Sequence, residues 1–153
     1  MFMESLGYVT LDTTRRNQRK EVVAPDLDPD EEVYTACVLG LQDYMAKNHF
    51  TGVCLGLSGG IDSALVATMA ADACSGSNVW GVSMPSMYSS AGSKGDAADL
   101  ARNLGAHYEI QPAQPLFDAY QRPLDPPGVP AANLHARIRG VHVAAHSHRH
   151  NPL

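Results

Sequence analysis

The stretch Ser58-Gly59-Gly60-Ile61-Asp62-Ser63 constrains this chain more than any other. An apolar run, Val53-Cys54-Leu55-Gly56-Leu57, leads into it, and a helix-forming run, Ala64-Leu65-Val66-Ala67-Thr68-Met69-Ala70, follows. Strand, glycine-rich turn and helix in that order bring bare backbone N–H groups and the positive end of a helix dipole to one spot. Such a spot binds phosphate. Gly59 and Gly60 can take positive φ and let an anion approach the backbone closely. Ser58 and Ser63 offer hydroxyl donors. The Asp62 carboxylate would repel a bare phosphate, and it fits the site if a Mg²⁺ sits between the two. The competing reading is an ordinary βα turn, where glycines are common; the flanking strand and helix weigh against it.

Length and charge bound the rest. A chain of 153 residues with 44% apolar content suits one domain with its own core. The net charge of −5 argues against a general nucleic-acid binder. Cys37, Cys54 and Cys74 are scattered without metal spacing, which predicts reduced thiols and a cytoplasmic setting. No apolar run reaches about 18 residues, so no membrane span is expected. The N-terminus lacks the apolar core of a signal peptide.

Residues 1–29 read as a lead-in and linker, polar and basic at 13–20 and proline-bearing and acidic at 24–30. A helix is predicted over Asp30 to Lys47, with Val33, Cys37, Gly40, Leu41 and Tyr44 on its apolar face. The strand at 53–57, the loop and a helix carrying Val66, Met69, Ala70 and Ala73 on one side come next. Val79 to Ser83 and His107 to Ile110 read as two further strands. Strands separated by helices pair in parallel. Ser93 and Asp96 resemble a capping box, followed by an apolar face of Ala97, Leu100, Ala101 and Leu104 and a Gly105 cap. Leu116 to Tyr120 suggests a brief helix, and the prolines of Arg122 to Pro130 a loop. The last helix, about Ala131 to His148, carries Leu134, Ile138, Val141 and Ala145 as its expected apolar face. His135, Arg139, His142, His146 and His150 form a second stripe. Its spacing is compatible with a Zn²⁺ site, but with no acidic or cysteine ligand nearby in sequence it reads as a solvated basic face.

The Ser58–Ser63 loop resembles the SGGxDS signature of the ATP pyrophosphatases and is not a Walker loop, since no G-x-x-x-x-G-K-[ST] is present. Met84-Pro85-Ser86-Met87-Tyr88-Ser89-Ser90 with Gly92-Ser93, and Asn133-Leu134-His135-Ala136-Arg137-Ile138-Arg139-Gly140, narrow the resemblance to NAD⁺ synthetase, in the synthetase domain of the glutamine-dependent type. The resemblance implies an α/β fold, three-layer and Rossmann-like (adenine nucleotide alpha hydrolase-like), with a parallel sheet and flanking helices. It further implies NAD⁺ synthesis by ATP-dependent amidation of deamido-NAD⁺ through an adenylylated intermediate, with AMP and pyrophosphate released. ATP and Mg²⁺ would be required, with ammonia or a glutaminase domain as nitrogen source. In that family Ser58, Gly59, Gly60 and Ser63 would hold the β- and γ-phosphates, and Asp62 the Mg²⁺. Met84 and Ser86 would edge the adenine and ribose, Arg137 would contact ATP, and Asn133 would help place the dinucleotide. No catalytic nucleophile is implied. A homo-oligomer is expected, with no nucleic-acid or membrane partner.

The chain departs from the family at Ala132 and His135, where an acidic residue and a glutamine are usual. Against the family pattern, residues 30–153 read as a partial, C-terminally truncated domain. The family's TTGNKSE-type segment, which brings a second Mg²⁺ carboxylate, is absent from the sequence. The alternative function is therefore a nucleotide-binding fragment without turnover. A different ATP pyrophosphatase, such as a tRNA-modifying enzyme, is a further alternative that the acidic balance disfavours. With three strands of a sheet ordered 3-2-1-4-5, the strand feeding the loop is expected at an edge, and the isolated fold is expected to be marginal or completed by a partner.

Overall fold

The computed structural model describes residues 26–85, 91–124 and 129–150. Three parallel strands, β1 (Val53–Gly56), β2 (Val79–Ser83) and β3 (His107–Ile110), form a sheet in the order β1-β2-β3. Val53 pairs with Val79 and Trp80 with His107. The strand that feeds the loop is thus an edge strand among the described residues, as the 3-2-1 order requires.

Helices cover both faces. On one lie α1 (Pro29–Asn48), α2 (Ile61–Cys74) and α3 (Ala91–Leu104). Met45, Val53, Ala70 and Val79 form a core between α1, α2 and the sheet, while Leu57, Ala67, Ala97 and Ala101 close the seam between α2 and α3. Alanines at that seam let the two helices lie close. On the other face lie α4 (Gln114–Leu124) and α5 (Val129–His150), around Ala113, Phe117 and Ile138. Asp28 caps α1 by accepting from the Asp30 amide at 3.0 Å, and Pro29 occupies the first helical position, where a missing N–H costs nothing. Gly105 ends α3 at φ 66°, and the α3 face of Ala97, Leu100, Ala101 and Leu104 turns inward as expected.

Other expectations are corrected. The buried side of α1 runs through Tyr34, Val38, Leu41 and Met45 and not through Val33, Cys37 and Tyr44; Val33 is 64% exposed. Tyr34 donates to Asp72 of α2 at 2.6 Å, a bond that holds the phenol up at about 12. On α2 the inward residues are Ala67, Ala70, Ala71 and Cys74, and Val66 faces out. Ser93 lies inside α3, so it is not the cap of that helix. The loop expected over Arg122 to Pro130 is shorter, because α4 runs to Leu124 and α5 starts at Val129. Pro115 and Pro130 each fall in the first turn of a helix, where no amide partner is lost.

The largest correction is on α5. Val141 is 64% exposed, Ala145 is also exposed, and His146 is 2% exposed. Of the expected stripe, His142 and His146 face the sheet side, His135 faces α4, and Arg139 is exposed. His146 Nδ1 lies 3.8 Å from Cys54 Sγ on β1, and its Nε2 lies 3.0 Å from Glu109 Oε2 on β3. His142 Nδ1 is 3.1 Å from Gln111 Oε1. The His135 ring stacks on Phe117 with centroids 3.6 Å apart. Among the described residues no group of three or more His, Cys, Asp or Glu side chains is placed to hold a metal ion. On β2 and β3, the Trp80 and His107 rings stack at 4.9 Å.

Two predictions arise from this face. Burial, with the Arg139 charge beside it, holds the His135 imidazole below its ordinary range, against a smaller opposing pull from Asp118. The unfolded chain therefore binds this proton more readily. Its stabilising contribution is present above about pH 6.5 and is lost as pH falls through the lowered folded value. Urea midpoints at pH 7 and pH 5 are expected to differ more for the native sequence than for His135→Phe. An equal pH dependence contradicts the packing of α5 on Phe117. Burial first, then the Glu109 carboxylate, push the Cys54 thiol up to about 11, whereas Cys37 is exposed. Iodoacetamide is expected to label Cys37 in the folded protein and to reach Cys54 only on unfolding. Equal labelling of both in native conditions contradicts the seat of α5 over β1.

Candidate functional site

The loop between β1 and α2 stands at the C-terminal end of the parallel strands, the side on which open α/β sheets bind ligands. It has a definite shape. Gly59 takes φ 81°, a value that favours glycine, and Gly60 in extended conformation is the N-cap of α2. Gly60 makes no side-chain cap, so the first amides of α2 look outward. Among the described residues the amides of Gly59, Ile61 and Asp62 meet no protein acceptor. The Gly60 amide is engaged, donating to Ser58 Oγ at 3.2 Å. The Ser58 amide donates to Ser63 Oγ at 3.3 Å.

An open cleft of about 380 Å³ adjoins this turn, lined by Gly59, Gly60, Ile61 and Ala64 on one wall and by Asp96, Asp99, Leu100 and Asn103 of α3 on the other. Its volume falls within the range of small-molecule sites. The α3 wall was not singled out in the sequence, because Asp99 and Asn103 belong to the polar outer face of an ordinary amphipathic helix. Asp99 pairs with Arg102 at 2.7 Å.

Asp62 is exposed in the first turn of α2, and among the described residues its carboxylate meets no cation or donor of the protein. An outward-facing carboxylate of this kind fits a hard divalent cation such as Mg²⁺, which Asp62 would hold.

Met84, Asn133 and Arg137 do not line this cleft. Met84 follows β2 and packs against the Ala113–Phe117–Ile138 core; its Cε also lies 3.1 Å from the position a side chain on Gly56 would fill. Gly56 thus leaves the space that Met84 uses. Asn133 and Arg137, four residues apart on α5, are both exposed, and neither has a hydrogen bond or ion pair with the loop among the described residues. Ser86 lies outside the described residues, as do residues 1–25 of the expected lead-in. Sequence reading missed the Cys54–His146–Glu109 contact. Its members are far apart in the chain, and nothing local announces it. Gln111 donating at 3.1 Å, then His146, hold the Glu109 carboxyl below its usual range.

Comparison with known proteins agrees with the fold. The family model described as NAD synthase matches residues 33–153. The glutamine-dependent NAD(+) synthetase of Rhodobacter capsulatus is 43% identical over 97% of this chain and 28% of its own length. That of Thermotoga maritima is 44% identical over 84% of this chain and 23% of its own length. The chain thus spans roughly a quarter of these curated relatives. Among solved structures, glutamine-dependent NAD+ synthetase from Acinetobacter baumannii, in complex with ADP, superposes with a TM-score of 0.82 at 36% identity, covering 86% of this chain and 26% of that one. The NH3-dependent NAD synthetase from Campylobacter jejuni gives 0.74 at 33% identity, covering 80% of this chain and 54% of that one.

Proposed function

The chain belongs to the NAD synthase family, and from that premise we propose that it takes part in making NAD⁺ by ATP-dependent amidation of deamido-NAD⁺. A nicotinate carboxylate oxygen attacks the α-phosphorus of ATP. The bond to the bridging oxygen breaks, and pyrophosphate leaves with its electron pair. Ammonia, from solution or from a glutaminase domain, then adds to the acyl carbon, AMP departs, and the nitrogen loses one proton.

The observation that carries this reading is the run of unpaired amides at Gly59, Ile61 and Asp62, at the N-terminus of α2 and beside an open cleft. Fixed donors at that place stabilise the charge that builds on departing pyrophosphate without having to reorganise. The turn that Ser58, Gly59, Gly60 and Ser63 build would cradle the β- and γ-phosphates. Asp62 would hold Mg²⁺, which when bound neutralises phosphate charge. Met84 and Ser86 would edge the adenine and ribose, Arg137 would contact ATP, and Asn133 the dinucleotide. The A. baumannii relative was solved with ADP, which supports nucleotide binding in this reading. The reading includes a homo-oligomer working in the cytoplasm. Three unpaired thiols fit a reducing compartment. No helix among the described residues is long and apolar enough to cross a membrane.

A second reading is nucleotide binding without turnover. It is favoured by the lining of the cleft, which among the described residues holds no cationic side chain. One assay separates the two. Pyrophosphate release from ATP that requires deamido-NAD⁺ and ammonia supports the first, and ATP binding with no release supports the second. Failure to bind ATP with Mg²⁺ present overturns both.

A further inference from the structure

Gly60 and the two serines of the loop form a closed ring of hydrogen bonds. The Gly60 amide donates to Ser58 Oγ at 3.2 Å, the two hydroxyl oxygens are 3.1 Å apart, and Ser63 Oγ donates to the Gly60 carbonyl at 3.0 Å. The Ser58 amide donates to Ser63 Oγ from the side at 3.3 Å.

The proton count fixes the direction of this ring. A carbonyl only accepts, so the Ser63 proton goes to Gly60 O. The contact between the hydroxyls then takes the Ser58 proton. Both hydroxyl protons face inward. Ser63 Oγ accepts twice and has no lone pair left, and Ser58 Oγ keeps a single spare lone pair. A lone pair repels a phosphate oxygen. In this state neither hydroxyl is a phosphate donor.

Resting on the phosphate-binding reading above, we infer that Ser58 and Ser63 are positioning residues. Their ring holds the diglycine turn, with Gly59 at φ 81°, in the one shape that leaves the Gly59, Ile61 and Asp62 amides free for an anion. Those amides, and not the hydroxyls, carry the contact. Two adjacent glycines have more conformational freedom to lose than any other pair, so a ring that fixes them beforehand removes a large ordering cost from binding.

A double-mutant cycle tests the role, with inorganic pyrophosphate as the probe and calorimetry as the readout. Opening the ring at either serine breaks the same device. Ser58→Ala and Ser63→Ala are each expected to weaken binding about fivefold, and the double variant to be no weaker than the worse single one. Two independent hydroxyl contacts would instead multiply to about 25-fold, and that result overturns the inference. Ser63→Thr keeps the hydroxyl and is expected to restore wild-type affinity. The ring is also read without any ligand. Amide hydrogen exchange at Gly60 in the ligand-free protein is expected to speed up in Ser58→Ala, while exchange in the body of α2 stays the same. Unchanged exchange at Gly60 sinks the ring alone, whereas a wild-type protein that does not bind pyrophosphate sinks the phosphate reading and the positioning role with it.

Discussion

Gly76→Ala is expected to cost about 3 kcal/mol of folding stability and to lower the thermal midpoint by about 10 °C. Gly76 opens the short 3₁₀ turn Gly76–Asn78 that joins α2 to β2. A methyl group there would overlap the carbonyl oxygen of Leu104 and would lie 2.9 Å from the Leu104 carbonyl carbon and 3.2 Å from that of Gly105. These are backbone atoms at the end of α3. Gly105 at φ 66° and the Ala106 amide, donating to Ala101 O at 2.8 Å, hold them in place. No rotamer change relieves the overlap. The ends of α2 and α3 must separate, which opens the seam of Ala67, Ala97 and Ala101. Gly40→Ala is the control of opposite sign. Nothing lies within 4 Å of the added methyl in the middle of α1, so the variant is expected to gain about 0.5 kcal/mol from the better helix former. Circular dichroism melts of the two variants check both signs. A Gly76→Ala midpoint equal to wild type contradicts the approach of α3 to the turn.

Asp62→Asn is expected to weaken ATP binding on the order of 100-fold when Mg²⁺ is present, since removing a direct ligand costs at least as much as removing the outer partner of a metal site. Without Mg²⁺ the same variant is expected to bind ATP no worse than wild type. The physical reason is the sign of the carboxylate. Asp62 stands in the first turn of α2 among donors that suit an anion, and its own negative charge opposes one. A divalent cation held by Asp62 would offset that repulsion. Asparagine keeps the size and the helix position while removing the charge. Titrations with ATP in Mg²⁺ and in EDTA measure the two limbs. An equal loss in both means that Asp62 acts through the shape of the loop and not through a metal.

The loop and its setting were legible in the sequence because their signals are local. An apolar run, two glycines and an alanine-rich helix former are enough to place β1, the turn and α2. The α3 face was legible for the same reason, since its small and large apolar residues leave one choice of side. On α1 there were two choices. Stripes through Val33 and Tyr44 or through Tyr34 and Met45 share Leu41 and differ by about one residue of rotation. The alanines of α2, and Asp72 waiting for Tyr34, decide between them. On α5 the polarity rule itself failed. Histidines look like surface, yet His142 and His146 turn inward because Gln111, Glu109 and Cys54 supply partners from distant parts of the chain. Asn133 and Arg137 were expected at the nucleotide because of a family resemblance, and no local signal in α5 bears on that role.

The stacked pair between the second and third strands has a practical consequence. Trp80 is the single tryptophan of the whole sequence, and it lies against His107 near the start of β2, at the opposite end of the strands from the Ser58–Ser63 loop. Indole fluorescence follows the polarity around the ring. The protein therefore carries a built-in optical gauge of sheet integrity. Its emission should stay level while a nucleotide is titrated in, and change when the third strand peels away.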